Sequence, residues 1–152
     1  MALNFADIAS KKVEEIERPP LAPTGTYRFS ITKIPEVSTT NDEAWDILTI
    51  PCRAVEALDN VDMEGYNGEV TGIVMQHKFM FNKNDEVEFE KSEWRMRQFF
   101  EKHVGCAEEG ATIAQMLNAS VNGQFLGDVV WKQDKNDQEL FHANIGRTAP
   151  VE

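Results

Sequence analysis

Gln124-Phe125-Leu126-Gly127-Asp128-Val129-Val130-Trp131-Lys132 and, after a polar turn, Glu139-Leu140-Phe141-His142-Ala143-Asn144-Ile145 form the stretch that decides the fold. Both segments read as strands, and they follow a helical segment. Two or three strands, a helix and two more strands is the element order of a small, mainly β closed barrel. In such a barrel, function is expected on a surface rather than in a catalytic cleft.

Upstream of that pair, Ser92 is the expected N-cap of the principal helix, which runs through His103 with Glu93 in its first turn. Met96, Phe99, Phe100, His103 and Val104 follow the spacing of one apolar stripe, and Gly105 is the natural C-cap. A second short helix is expected from Thr112 to Asn118. The first strand spans Thr26 to Ile34, with Tyr27, Phe29 and Ile31 alternating against Arg28, Ser30 and Thr32. Pro35 to Glu43 reads as a polar connection. A second strand follows from Trp45 to Cys52, where Pro51 argues for an edge or a bulge. Leu58 to Gly68 carries the turn residues of a long loop, Val70 to Phe81 is the third strand, and Asn82 to Asp85 closes it as a turn. Near the N-terminus, a short helix is expected over 7–17, with Ile8, Val13 and Ile16 partly on one side, until Pro19-Pro20 ends it. A helix packed on the surface is preferred there over a mobile arm. The division is therefore an N-terminal helix or arm over residues 1–24 and a barrel over 25–152.

The 152 residues suffice for one core without staples. Hydrophobic content of 41% and charged content of 27% fit a soluble globular chain, and no apolar run approaches a membrane span. The first residues lack the basic flank and apolar core of a secretory signal, and Cys52 and Cys106 make no disulfide or metal framework, so an intracellular, reduced protein is expected. The net charge of -11 argues against phosphate contact until it is examined locally. Eight acids against one base give residues 38–69 a charge of -7, whereas six of each leave 70–104 neutral. The acidity is concentrated, which leaves room for a neutral or basic face elsewhere.

With these elements placed, the chain resembles small phage-encoded single-stranded DNA-binding proteins of replication and recombination gene blocks. The resemblance lies in Leu21 through Ile31, with Gly25-Thr26-Tyr27 entering the first strand, and in the Trp94 to Phe100 helix. It continues in Val121-Asn122-Gly123-Gln124-Phe125-Leu126-Gly127, Lys132 and the ending Ile145-Gly146-Arg147-Thr148-Ala149-Pro150-Val151. It covers most of residues 21–151. It implies a five-stranded OB-like barrel with a helix between the third and fourth strands, single-stranded DNA as ligand, and residence in the host cytoplasm. Many replication-type binders carry an acidic C-terminal tail; here none is evident, and tail-mediated recruitment of partners is not expected.

A nonspecific single-strand binder needs cations for phosphates and exposed aromatics on which bases stack, each stacked base contributing roughly 1–3 kcal/mol. The candidate pairings are Trp131 with Lys132 and Lys135, Phe79 with Lys78 and Lys83, Arg28 between Tyr27 and Phe29, and Arg53 after the strand that starts at Trp45. Trp131 shares its parity with Phe125, so a place in the core competes with a place on the DNA. Phe29, Phe99 and Phe100 are read as core. His77, His103 and His142 are too scattered for a zinc site, and Glu56, Asp59, Asp62 and Glu64 lack the glycine and terminal Glu of a calcium loop. No nucleophile elbow or phosphate-cradling glycine loop is present. No enzymatic activity, metal or cofactor is expected. Partners would be single-stranded DNA and replication or recombination proteins, with no membrane; a homodimer through a barrel edge or the N-terminal segment stays open. The competing reading is a protein-interaction or virion-associated barrel without DNA binding, which the acidic balance favours.

Overall fold

Alternation along the chain sorts the strands into an inner and an outer face. Tyr27, Phe29 and Ile31 of β1 (Gly25–Ile31) are fully buried, as the period of two requires. Leu48, Ile50, Cys52 and Ala54 do the same on β3 (Trp45–Ala57), Phe125 and Val129 on β5 (Gln124–Gln133), and Ile145 on β6 (Phe141–Ala149). The structure, a computed structural model, describes residues 4–15 and 20–151. Among them are six strands in one antiparallel sheet, with β2 (Glu36–Thr39) and β4 (Val74–Asn82) completing the set. The hydrogen-bonded order is β2-β3-β1-β5-β6, and β4 pairs with the opposite edge of β3. The sheet is not closed: β4 and β6 approach one another without a hydrogen-bonded ladder.

The β architecture stands, but several boundaries differ from the expectation. The segment read as a polar connection contains β2, whose four residues are all exposed. Long β3 explains it, because it pairs first with β2 and then with β1 along the same edge. Pro51 sits inside this doubly paired strand rather than at an edge or bulge. Its carbonyl accepts from Thr32 N–H on the edge shared by β1 and β2, between the last β2 pair at Thr49 and the first β1 pair at Cys52. N–H and C=O of one strand residue point the same way, so the missing donor falls in that gap and no bond to β4 is lost. The register shift instead lies where Arg28 faces Glu56 and Phe29 faces Ala54.

The principal helix begins earlier than Ser92. α2 spans Glu86–Gln98 and is capped by Asp85, whose side chain accepts from Glu88 N–H at 3.1 Å, with Glu86 and Glu88 in the first turn. Ser92 is buried inside it, and its hydroxyl donates to the Met80 carbonyl, tying α2 to β4. The first two turns carry few apolar residues, which hid them from a periodicity argument. The helix continues as a π-helical segment, Phe99–Val104, which buries Phe99 and Phe100 side by side. Gly105 caps it at φ 76°, in the left-handed region. α3 (Ile113–Ala119), capped by Thr112, fills the expected place of the second helix.

Near the N-terminus, α1 spans only Phe5–Ala9, capped by Asn4, and a 3-10 turn follows at Val13–Glu15. Ile16 and Glu17 of the expected helix, and Pro19, lie outside the described residues. Phe5, Ile8 and Val13 are exposed, so the described part of this segment does not show the packed apolar side expected of it. No helix among the described residues is long and apolar enough to cross a membrane.

Candidate nucleic-acid interface

The gap between β4 and β6 is the most distinctive surface feature. Two cavities lie along it. The first, of about 880 Å³, is lined by Ile73 to Gln76, Lys78 and Met80 on one side and by Lys132 and His142 to Ile145 on the other, with Pro20 to Ala22 at its end. The second, of about 570 Å³, is lined by His77 to Met80, by Gly146 to Thr148, and by Ser92, Trp94, Arg95, Gln98, Phe99 and His103 of the helix. The lining advances along both strands together, 73–76 with 142–145 and then 77–80 with 146–148, so β4 and β6 run side by side in the same direction. Lys78 and Met80 belong to both cavities, which makes one track of them.

Among the described residues no Asp or Glu lines either cavity, in a chain with 26 acids and 15 bases. Four cations do: Lys78, Lys132, Arg95 and Arg147. Among the described residues none of these four has an ion-pair partner, and neither do Lys11, Lys33, Arg53 and Lys135 outside the lining, whereas Arg28, Lys83, Lys91, Arg97 and Lys102 are paired with carboxylates. Exposed pairs of that kind contribute little to stability, but each neutralises a cation otherwise available to an anion. Positive charge is thus left uncompensated along the gap.

The expected site residues are divided by this geometry. Lys78 and Lys132 meet in the first cavity, although 54 positions separate them in the chain. Phe79 lines the second, half-buried, its ring packed against His77 at 5.0 Å and Phe99 at 5.5 Å. Trp131 is 49% exposed, not in the core despite sharing its parity with Phe125, because the end of β5 extends past the packed interior. Its indole N–H donates to the Ala22 carbonyl at 2.8 Å, which fastens the end wall of the first cavity. Lys135 is exposed in the turn between β5 and β6. Arg53 lies on the outer face of β3 opposite Val74, a residue of the first cavity. The other three stand apart from the gap: Arg28 is held by Glu56 at 3.0 Å, Lys83 by Asp46 at 3.7 Å, and Trp45 is half-buried at the start of β3, bonded to Thr40.

Trp94, Arg95, Arg147 and Asn144 join the track without having been singled out as contacts. Trp94-Arg95 is the same aromatic-cation pairing that drew attention to Trp131-Lys132, so that signal was present. Trp94 is 56% exposed, and the Arg97 guanidinium stands 5.6 Å from its ring centroid, itself held by Glu101 at 2.8 Å. One side of the indole is thereby braced from its own helix.

The histidines are not interchangeable. Burial, with a smaller contribution from nearby His103, pushes the His77 imidazole down to about 4, so it is neutral at pH 7. Burial also lowers His103, whose Nδ1 is 2.7 Å from the Thr148 hydroxyl. His142 Nε2 lies 2.7 Å from Asp134, and that hydrogen bond holds the Asp134 carboxyl below its usual range. No group of three or more His, Cys, Asp or Glu side chains among the described residues is arranged to hold a metal ion. Comparison of the chain with protein-family models, with curated proteins and with solved structures finds no match.

Proposed function

We propose that the protein binds single-stranded DNA along the gap between β4 and β6, protecting it during phage replication or recombination, and that it is not an enzyme. The observation that carries this reading is a track whose described lining holds four unpaired cations and no carboxylate, on a strongly acidic chain. Phosphates would meet Lys132, Lys78, Arg147 and Arg95 in order, and bases would lie on Met80, Phe79 and Trp94. In this reading β1, β3, β4, β5 and β6 make a five-stranded OB-like barrel with α2 and α3 between its third and fourth strands. The side-by-side course of β4 and β6 would then be the barrel's closing seam. Candidate partners are replication or recombination proteins, and the host cytoplasm is the setting the reading implies.

Fluorescence titration of matched single-stranded and duplex oligonucleotides at two salt concentrations tests it. Single strands should bind more tightly, with affinity falling steeply as salt rises. Lys78→Gln should reduce the salt slope by about one phosphate contact, whereas Lys83→Gln, already neutralised by Asp46, should leave it nearly unchanged. Absence of binding at low salt favours the competing reading, a protein-interaction or virion-associated barrel. That alternative draws on β2, whose four exposed residues pair only with β3 and leave the other edge open to a partner strand or a second copy.

A further inference from the structure

The two cavities of the track differ in chemistry. The larger one is walled mainly by strands, and among the described residues its lining carries two lysines but no tryptophan, tyrosine or phenylalanine. The smaller one has a helix for one wall and gathers Arg95 from α2, Arg147 from β6 and Lys78 from β4 around Trp94 and Phe79. Arginine grips phosphate through two parallel N–H donors, whereas lysine acts as a point charge on a flexible stem. An indole supplies the widest stacking surface of any side chain, and here Arg97, itself paired with Glu101, stands over one side of it. Ser92, Gln98 and Thr148 add polar groups to the lining, although the Ser92 hydroxyl is committed to the Met80 carbonyl. Its volume of about 570 Å³ falls in the range of roughly 300–1,000 Å³ usual for small-molecule sites.

We propose that this helix-walled cavity is a subsite for one nucleotide, with the base against Trp94 and the phosphate on Arg95, Arg147 and Lys78, and that it anchors a bound strand at this end of the track. The inference rests on the single-strand reading. Binding is then polar along the track: one nucleotide is held firmly beside α2, and those that follow lie loosely across the lysine cavity. A mononucleotide, which has no use for the rest of the track, should still enter the anchoring end.

The test is a two-dimensional amide and indole NMR titration at low salt with thymidine 5′-monophosphate, inorganic phosphate and an oligothymidylate. Thymidine monophosphate should shift the Trp94 indole and the Arg95 and Arg147 amides while leaving Lys132 and Asn144 unmoved. Inorganic phosphate should bind at least fivefold more weakly, for want of the stacked base. Trp94→Leu and Arg147→Gln, both at exposed positions and checked for an unchanged amide pattern elsewhere, should each weaken the mononucleotide and the oligonucleotide by fivefold or more. Lys132→Gln should weaken only the oligonucleotide. An oligonucleotide that binds while the mononucleotide produces no shifts, or shifts centred on Lys132, would overturn the subsite and leave the single-strand reading standing. Failure of both ligands to bind would overturn that reading and the subsite with it.

Discussion

His77 shows how a single residue acquires a character that its sequence neighbours do not suggest. On β4 it has the parity of Met75, Phe79 and Phe81, and its ring packs within 5.1 Å of Phe99 and 6.2 Å of Phe125. A charged imidazolium there would lose its water, which is why the folded value falls to about 4 from 6.5. Above pH 6.5 the ring is neutral in both folded and unfolded chains and has no effect on the balance. Between 6.5 and 4 the unfolded chain takes up a proton that the folded one refuses, so stability falls as pH drops, by about 3 kcal/mol across the window. Denaturant unfolding from pH 7 to 4 should show that loss in the parent and a shallower one in His77→Phe. Equal slopes for the two would show that the ring is not held neutral.

At the scale of elements, the α2 and π-helical segment is the piece against which the sheet packs. Phe99 stands at its centre, within 5.0 Å of Phe100 and 4.9 Å of Phe125. Phe99→Ala should cost about 3–5 kcal/mol in denaturant unfolding, because it empties the contact between helix and sheet. Gly127 of β5 makes a complementary demand. A methyl group there would lie 3.0 Å from Ile145 and 3.1 Å from the Phe29 ring, so Gly127→Ala should cost about 1–3 kcal/mol through overpacking. An unshifted midpoint in either variant would contradict this packing.

Considered whole, the molecule separates stability from charge display. The core draws on strands, α2, the π-helical segment and α3, and α1 buries no side chain. Deleting residues 1–15 should therefore move the unfolding free energy by less than about 0.5 kcal/mol. A larger loss, read in the same denaturant titration, would reveal a packing role for that segment. The acid-rich stretch over 38–69, which holds β3 and the loop after it, contrasts with a gap whose described lining has no carboxylate, and this should disfavour duplex DNA more than a single strand that can enter the track.

The sequence by itself determined which faces are buried. Tyr27, Phe29 and Ile31 alternate inward, Met96, Phe99 and Phe100 form the inward stripe, and Gly105 ends the helical run, because periodicity and capping are local properties of the chain. Local chemistry also marked Lys78 and Lys132. It was less informative where a long-range partner decides the outcome. β2 exists because β3 offers it a free edge, Pro51 is tolerated because its missing donor meets a gap, and α2 extends back to Asp85 over turns with little apolar period. Only the tertiary structure decided which cations remain uncompensated. Arg28 and Lys83 are neutralised by Glu56 and Asp46, at the distances of an ion pair, while Lys78, Lys132, Arg95 and Arg147 line the two adjoining cavities from β4, β5, α2 and β6 with no carboxylate among the described lining residues. Charge compensation acts through space over a few ångströms, and no spacing along the chain encodes it.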